Sequence, residues 1–283
     1  MSIVGPTAFI RNPATDIRVM EADADGPVRI MVSTYSAAHG FSETMLDRSD
    51  QPALTAALAL AAGRVDVLEG LSPGVALPLW GSGLIVLPPE QAPAFAPARF
   101  AACPDAFAAD SFALLRDCLT PAMVDILAAY YRAQVESGGA RLSTGSVDRR
   151  HLHNDPAGRV VQRVLLPAVA ALVGAPVKPS YSYASLYREG AMLPVHKDRP
   201  QCKYTLSLLI DHQPVPTDGI SPWAIQVYAR PDAEPIDCFP SLGGGILFRG
   251  CDLPHGRKPL AADETCWTLL VHYVDADFTG SLD

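Results

Sequence analysis

From residue 177 to the C-terminus, short, mostly apolar runs are separated by polar breaks at Gly, Pro and Asp. The runs at 180–187, 204–211, 224–228, 245–248 and 268–274 are rich in Tyr, Val, Leu, Ile and Thr. That rhythm predicts an antiparallel β-sandwich or barrel. Upstream the period lengthens. Phe112, Leu115, Leu119, Met123, Ile126, Leu127 and Tyr130 recur every three to four residues, which predicts an amphipathic helix within 107–138. Thr120-Pro121 reads as a capped helix start inside it. A polar loop is expected at 138–150, and a second apolar helix at 160–173, interrupted at Pro167. Nearer the N-terminus, 27–36 reads as a strand, 51–63 as a helix ending at Gly63, and 65–71 as a second short helix. A turn at 81–83 leads into a strand at 84–87. Helices followed by many short strands make the expected fold class α+β.

Proline divides this pattern. Pro88, Pro89, Pro93, Pro97 and Pro104 crowd one Ala-rich stretch. The expected organisation is therefore a small N-terminal α/β module over 1–90, a Pro/Ala-rich linker over 91–109, and a larger domain over 110–283. The chemistry is read in the larger domain; the module's role is left open, and its His39 reads as a loop residue at the surface.

Composition narrows the function classes. The 283 residues are 49% hydrophobic, enough for a substantial core. The formal net charge of -8 argues against nucleic acid as a partner, because such proteins carry basic stripes. No apolar run reaches the roughly 18–20 residues of a membrane helix, and no secretory leader is apparent. The six Cys form no CxxC pair. They read as reduced, mostly buried thiols of a cytoplasmic protein.

Two segments carry chemistry. YREGAMLPVHKD (187–198) contains His196-Lys197-Asp198, and GGGILFRGCDLPHGRKP (243–259) contains His255. Residues i and i+2 of a strand share a face, so His196 and Asp198 can converge on one ion. His255 follows an apolar strand and a turn, and can complete the set. Two His and a carboxylate on one face of a metal form the facial triad of non-haem Fe(II) oxygenases. A rival cluster, His151 and His153 with Asp155 nearby, lies in what reads as an Arg-rich loop. His272 reads as an interior residue near the site, and His212 as part of a Pro-rich turn. The Gly243–Gly245 run lacks the Lys-Ser/Thr of a phosphate loop.

Over residues 177–275 the chain resembles the Fe(II)/2-oxoglutarate-dependent oxygenase superfamily. The resemblance rests on HxD…H, on the Tyr-x-x-Gly approach at Tyr187–Gly190, and on the closing strand at 267–274. It implies a double-stranded β-helix, or jelly roll, with supporting helices. It also implies Fe(II) on His196, Asp198 and His255, with 2-oxoglutarate and O2 as co-substrates. The usual outcome is decarboxylation to succinate and hydroxylation of a small-molecule, amino-acid or peptidyl substrate. Familiar branches place a cation about ten residues past the distal His, where this chain reads Asp263-Glu264-Thr265-Cys266-Trp267. Arg257 is the preferred substitute, since a guanidinium can grip a carboxylate with two parallel hydrogen bonds. Tyr187 is a second candidate for a hydrogen bond to the co-substrate. Two alternatives stand beside this reading: a cupin-type metal enzyme that uses no 2-oxoglutarate, and a non-catalytic β-helix binding protein.

Overall fold

A computed structural model describes residues 8–12, 15–20, 29–36, 40–47, 51–65, 67–86, 104–143, 149–229 and 234–282. The chain divides into two compact units, Met1–Pro93 and Ala94–Asp283. His39 and residues 91–103 of the expected linker lie outside the described residues.

The first unit runs β1 (Phe9–Arg11), β2 (Thr15–Met20), β3 (Arg29–Ser36), β4 (Gly40–Leu46), α1 (Gln51–Ala61), β5 (Val67–Leu68), α2 (Pro73–Gly81) and β6 (Ile85–Val86). Two three-stranded sheets, β5-β1-β6 and β2-β3-β4, contribute to one core with the helices. Phe9, Ile30, Val32, Leu54, Leu79 and Ile85 meet there. The short helix expected at 65–71 is instead β5, paired with Phe9 and Ile10. Two residues of extended chain carry no readable period, so only the partner strand decides them.

The second unit is mixed α/β and rich in sheet. Its order is α3 (Pro104–Asp110), β7 (Phe112–Leu115), α4 (Pro121–Glu136), β8 (Arg141–Leu142), β9 (Arg149–His153), α5 (Pro156–Val173), β10 (Val177–Arg188), β11 (Leu193–His196), a 3-10 turn (Pro200–Cys202), β12 (Tyr204–Gln213), β13 (Ile225–Val227), β14 (Ile236–Cys238), β15 (Gly245–Arg249), β16 (His255–Arg257) and β17 (Thr265–Asp275). Seven strands order as β7-β15-β12-β17-β10-β9-β8, and four as β11-β16-β13-β14. Ile225, Val227 and Cys238 of the small sheet pack with Ile246 and Phe248 of the large one.

Three helical expectations are corrected. The last part of the expected linker is helix α3, since Pro at a first helical position costs no hydrogen bond. The single helix expected from Phe112 onward is strand β7, a break, and then α4. Phe112–Leu115 pairs with β15, and left-handed residues Ser111 (φ 63) and Asp117 (φ 53) bound it. A four-residue apolar run does not distinguish the two periods. Helix α5 begins earlier than expected and passes through Pro167 unbroken. Asp155 caps it, accepting from the Gly158 amide at 3.1 Å. Pro167 lies on its exposed face. The capped start at Thr120-Pro121 is present, with Thr120 accepting from the Met123 amide.

Strands β10, β12 and β17 occupy the middle of the large sheet and are covered on both faces. One face of β17 meets helices. Trp267 stacks on Tyr131 of α4 at 5.1 Å, and the Tyr273 hydroxyl donates to the Gln162 carbonyl of α5 at 2.7 Å. The intervening residues Thr268, Leu270 and His272 line a cavity on the other face. Among the described residues, no helix is long and apolar enough to cross a membrane.

Candidate metal centre

The three residues of the two motifs converge. His196 ends β11, Asp198 follows it, and His255 opens β16, directly opposite His196 in the antiparallel pair. The ligand atoms of all three lie within 4.8 Å of one another. Asp198 Oδ1 sits 3.7 Å from His196 Nε2 and 3.6 Å from His255 Nε2. Three ligands about 2.1 Å from one ion, at right angles, stand about 3 Å apart. A contraction of somewhat more than half an ångström is what an ion there requires.

The imidazoles are already oriented. His196 Nδ1 is 2.8 Å from the Pro194 carbonyl, and His255 Nδ1 is 2.9 Å from the Leu253 carbonyl. A carbonyl only accepts, so both rings hold their proton on Nδ1 and present the Nε2 lone pair. Burial pushes the His255 pKa below its ordinary value, against the opposing pull of Asp198. A neutral ring is the form that ligates.

Asp198 is held from behind. Its Oδ2 accepts from the Thr205 hydroxyl at 2.7 Å. That hydroxyl stands 2.9 Å from His272 Nδ1. One hydroxyl has one proton, so His272 donates to Thr205 and Thr205 donates to Asp198. Oδ1 remains for an ion. The backbone fits the same arrangement: the Asp198 amide donates to the Gly250 carbonyl at 2.9 Å. A β-carbon at Gly250 would overlap Asp198 Oδ2 and stand 2.6 Å from the Cys202 carbonyl oxygen. The donor set therefore suits a divalent metal that prefers mixed nitrogen and oxygen ligation.

Asp198, Cys202 and His272 form a second convergent set. Its thiol is unsuited to ligation: burial pushes the Cys202 pKa up to about 12, and the Sγ lies 3.0 Å from the Tyr181 hydroxyl.

The triad lines a cavity of about 310 Å³ between the two sheets. Arg257 and Tyr187 line the same cavity. Arg257 lies two residues beyond His255 on β16 and is only 4% exposed. Its Nη1 donates to the Trp223 carbonyl at 2.8 Å, and its guanidinium lies 4.5 Å over the Trp223 ring. Burial lowers its pKa, yet a guanidinium keeps its charge. The Tyr187 hydroxyl accepts from Arg149 Nη1 at 2.8 Å, which leaves its own proton free to be donated.

Several cavity residues escape a reading of the sequence. Arg149, expected in a loop, lies on β9 directly opposite Tyr187. Arg149, His151 and His153 recur with period two, and that spacing was the available signal of a strand. The rival His cluster is resolved into other contacts. His151 stacks on Tyr183 at 5.0 Å and meets the Ser143 hydroxyl, while Asp155 caps α5. Among the described residues these three form no metal-ligating group. His212 belongs to β12 and not to a turn. It is 1% exposed, with Nε2 3.6 Å from Glu264.

No family model matches the sequence, and no curated protein does. Solved structures do resemble the fold. A Pseudomonas putida prolyl-4-hydroxylase superposes with a TM-score of 0.53 at 16% identity, over 62% of this chain and 98% of that one. The non-heme alpha ketoglutarate dependent epimerase SnoN of nogalamycin biosynthesis gives 0.53 at 12% identity, over 64% and 82%. The carbocyclase SnoK of the same biosynthesis gives 0.51 at 14%, over 64% and 86%. At these identities the likeness establishes a fold shared with these three structures.

Proposed function

We propose that this protein is an Fe(II)- and 2-oxoglutarate-dependent dioxygenase, its catalytic domain a double-stranded β-helix over residues 110–283. The observation that carries the reading is the convergence of His196, Asp198 and His255 on one wall of a cavity that also holds the buried Arg257. His196 Nε2, His255 Nε2 and Asp198 Oδ1 hold the iron. Bound there, it supplies the activation of dioxygen that couples decarboxylation of 2-oxoglutarate to oxidation of a substrate C–H bond. Atoms balance as substrate, 2-oxoglutarate and O2 going to hydroxylated substrate, succinate and CO2.

The chain's own residues do the positioning. Arg257 grips the distal carboxylate of 2-oxoglutarate, and its contact with Trp223 fixes the guanidinium in place. Tyr187 donates its free hydroxyl proton to the co-substrate. Thr205 and His272 keep Asp198 aimed. The substrate is a small molecule, an amino acid or a peptidyl side chain.

The test is anaerobic reconstitution with Fe(II), followed by aerobic conversion of labelled 2-oxoglutarate. Wild-type protein is expected to hold one iron per chain and to release labelled succinate. Asp198→Ala is expected to lose both. Iron binding without succinate would favour a cupin-type enzyme, and neither would favour a binding protein. Equal iron in the two proteins would overturn the triad itself.

A further inference from the structure

The cavity holds more positive charge than 2-oxoglutarate can use. Arg149, Lys197, Arg199 and Arg257 line it, and among the described lining residues Asp198 is the only carboxylate. This occurs in a chain of net charge -8, so the cavity is a local exception to the molecule's acidity. Lys197 and Arg199 are exposed, and water screens them. Arg149 and Arg257 are not so relieved. They stand on different sheets, Arg149 on β9 and Arg257 on β16. Among the described residues, neither has a carboxylate within ion-pairing distance. A ferrous ion, Arg149 and Arg257 together bring four positive charges, and Asp198 with the two carboxylates of 2-oxoglutarate brings three negative ones. One of those carboxylates lies at the metal end and the other at the far end. A single guanidinium satisfies the far one, and a second guanidinium remains.

The geometry points to Arg149 as the anchor for a carboxylate of the substrate that is oxidised, which makes that substrate a small organic acid. This rests on the oxygenase reading above, with Arg257 serving the co-substrate. Arg149 is built for the task. Its Nη1 is tied to the Tyr187 hydroxyl at 2.8 Å, and its guanidinium lies 5.0 Å over the Tyr183 ring. Among the described residues its Nε is buried and has no hydrogen-bond partner. That N–H belongs to the edge which, with Nη2, forms the two-pronged grip on a carboxylate. A buried donor without an acceptor is costly, and a ligand carboxylate removes the cost. Arg257, by contrast, donates to a main-chain carbonyl and is packed against Trp223. Its place two residues from His255 ties it to whatever chelates the metal.

The experiment titrates anaerobic protein, loaded with Fe(II) and 2-oxoglutarate, with matched pairs of small carboxylic acids and their amides. The panel spans amino, hydroxy and aromatic acids, and binding is read by calorimetry. At least one acid is expected to bind at submillimolar concentration, and its amide roughly tenfold or more weakly. Arg149→Gln is expected to weaken that acid by roughly tenfold or more, with Arg149→Lys in between because it keeps charge without the fork. The dissociation constant of 2-oxoglutarate should rise by roughly tenfold or more in Arg257→Gln and by clearly less in Arg149→Gln, which touches the co-substrate only through the hydrogen bond to Tyr187. A loss of 2-oxoglutarate binding in Arg149→Gln as large as that in Arg257→Gln would overturn the assignment, as would a panel in which no acid outbinds its amide. If the wild type binds no 2-oxoglutarate, the oxygenase reading fails instead. The acid–amide titration on iron-free protein then still decides whether Arg149 holds a carboxylate.

Discussion

Thr205 shows how one hydroxyl can set the quality of a metal site. It receives the Nδ1 proton of His272 and gives its own to Asp198 Oδ2, at 2.9 and 2.7 Å. His272 is 67 residues away along the chain and meets Thr205 across the pairing of β12 with β17. Thr205→Val keeps the shape and removes both bonds. It leaves a buried imidazole N–H and a carboxylate oxygen without their partner, at a cost of about 1–3 kcal/mol. Iron affinity is expected to fall roughly ten- to hundredfold, as is usual when the support behind a ligand is lost. Iron titration and urea melts on the same preparation check both numbers. Full affinity in the valine variant would mean that Asp198 is aimed by the backbone alone.

At the scale of elements, the site is a clasp between two turns. The turn after β15 and the segment after β11 exchange main-chain hydrogen bonds, Asp198 N to Gly250 O and Gly250 N to Lys203 O. They approach so closely that Gly250 has no room for a methyl group. A β-carbon there meets Asp198 Oδ2 first, then the Cys202 carbonyl oxygen at 2.6 Å and Asp198 Cβ at 2.9 Å. Gly250→Ala should therefore displace the ligand before it unfolds the sheet. We expect less than half the wild-type iron content with an unaltered far-UV circular dichroism spectrum. The stability loss should be about 1–3 kcal/mol, the usual cost of forcing a methyl into a packed site. An alanine variant with wild-type iron content would show that the clasp can open at no cost to the metal.

For the whole molecule, two buried groups on opposite faces of the large sheet tie stability to pH with opposite signs. Burial pushes the Asp155 carboxyl up to about 6, against the hydrogen bonds from Gly158, Ala157 and Tyr131. Its folded pKa lies above its unfolded one, so its contribution is complete below about pH 4 and is lost as pH rises through 6. Burial pushes His272 down to about 4, against the pull of Asp198. Its contribution is complete above about pH 6.5 and is lost as pH falls through 4. Between pH 4 and 6 the two oppose each other. In metal-free protein, Asp155→Asn should lose stability more steeply on acidification than wild type, and His272→Asn less steeply. Each difference should approach about 3 kcal/mol across the window. Urea melts at pH 4, 5, 6 and 7 measure it, and an unchanged slope in either variant would remove that residue from the account.

Local spacing determined much of this protein without help from the fold. His196 and Asp198 are two residues apart, and a strand end brings them to one side whatever the rest of the chain does. The long runs at β10, β12 and β17 announced themselves because they are rich in Tyr, Val, Leu, Ile and Thr and are bounded by Gly, Pro and Asp. The cap at Thr120-Pro121 acts within one helical turn. Tertiary structure decided what depends on register between distant strands. Arg149 faces Tyr187 only because β9 pairs with β10, and Thr205 meets His272 only because β12 lies beside β17. Short apolar runs such as Phe112–Leu115 and Val67–Leu68 became strands because an edge needed a partner. A window of two to four residues contains no period, so their conformation is set by the hydrogen bonds that a neighbouring strand offers.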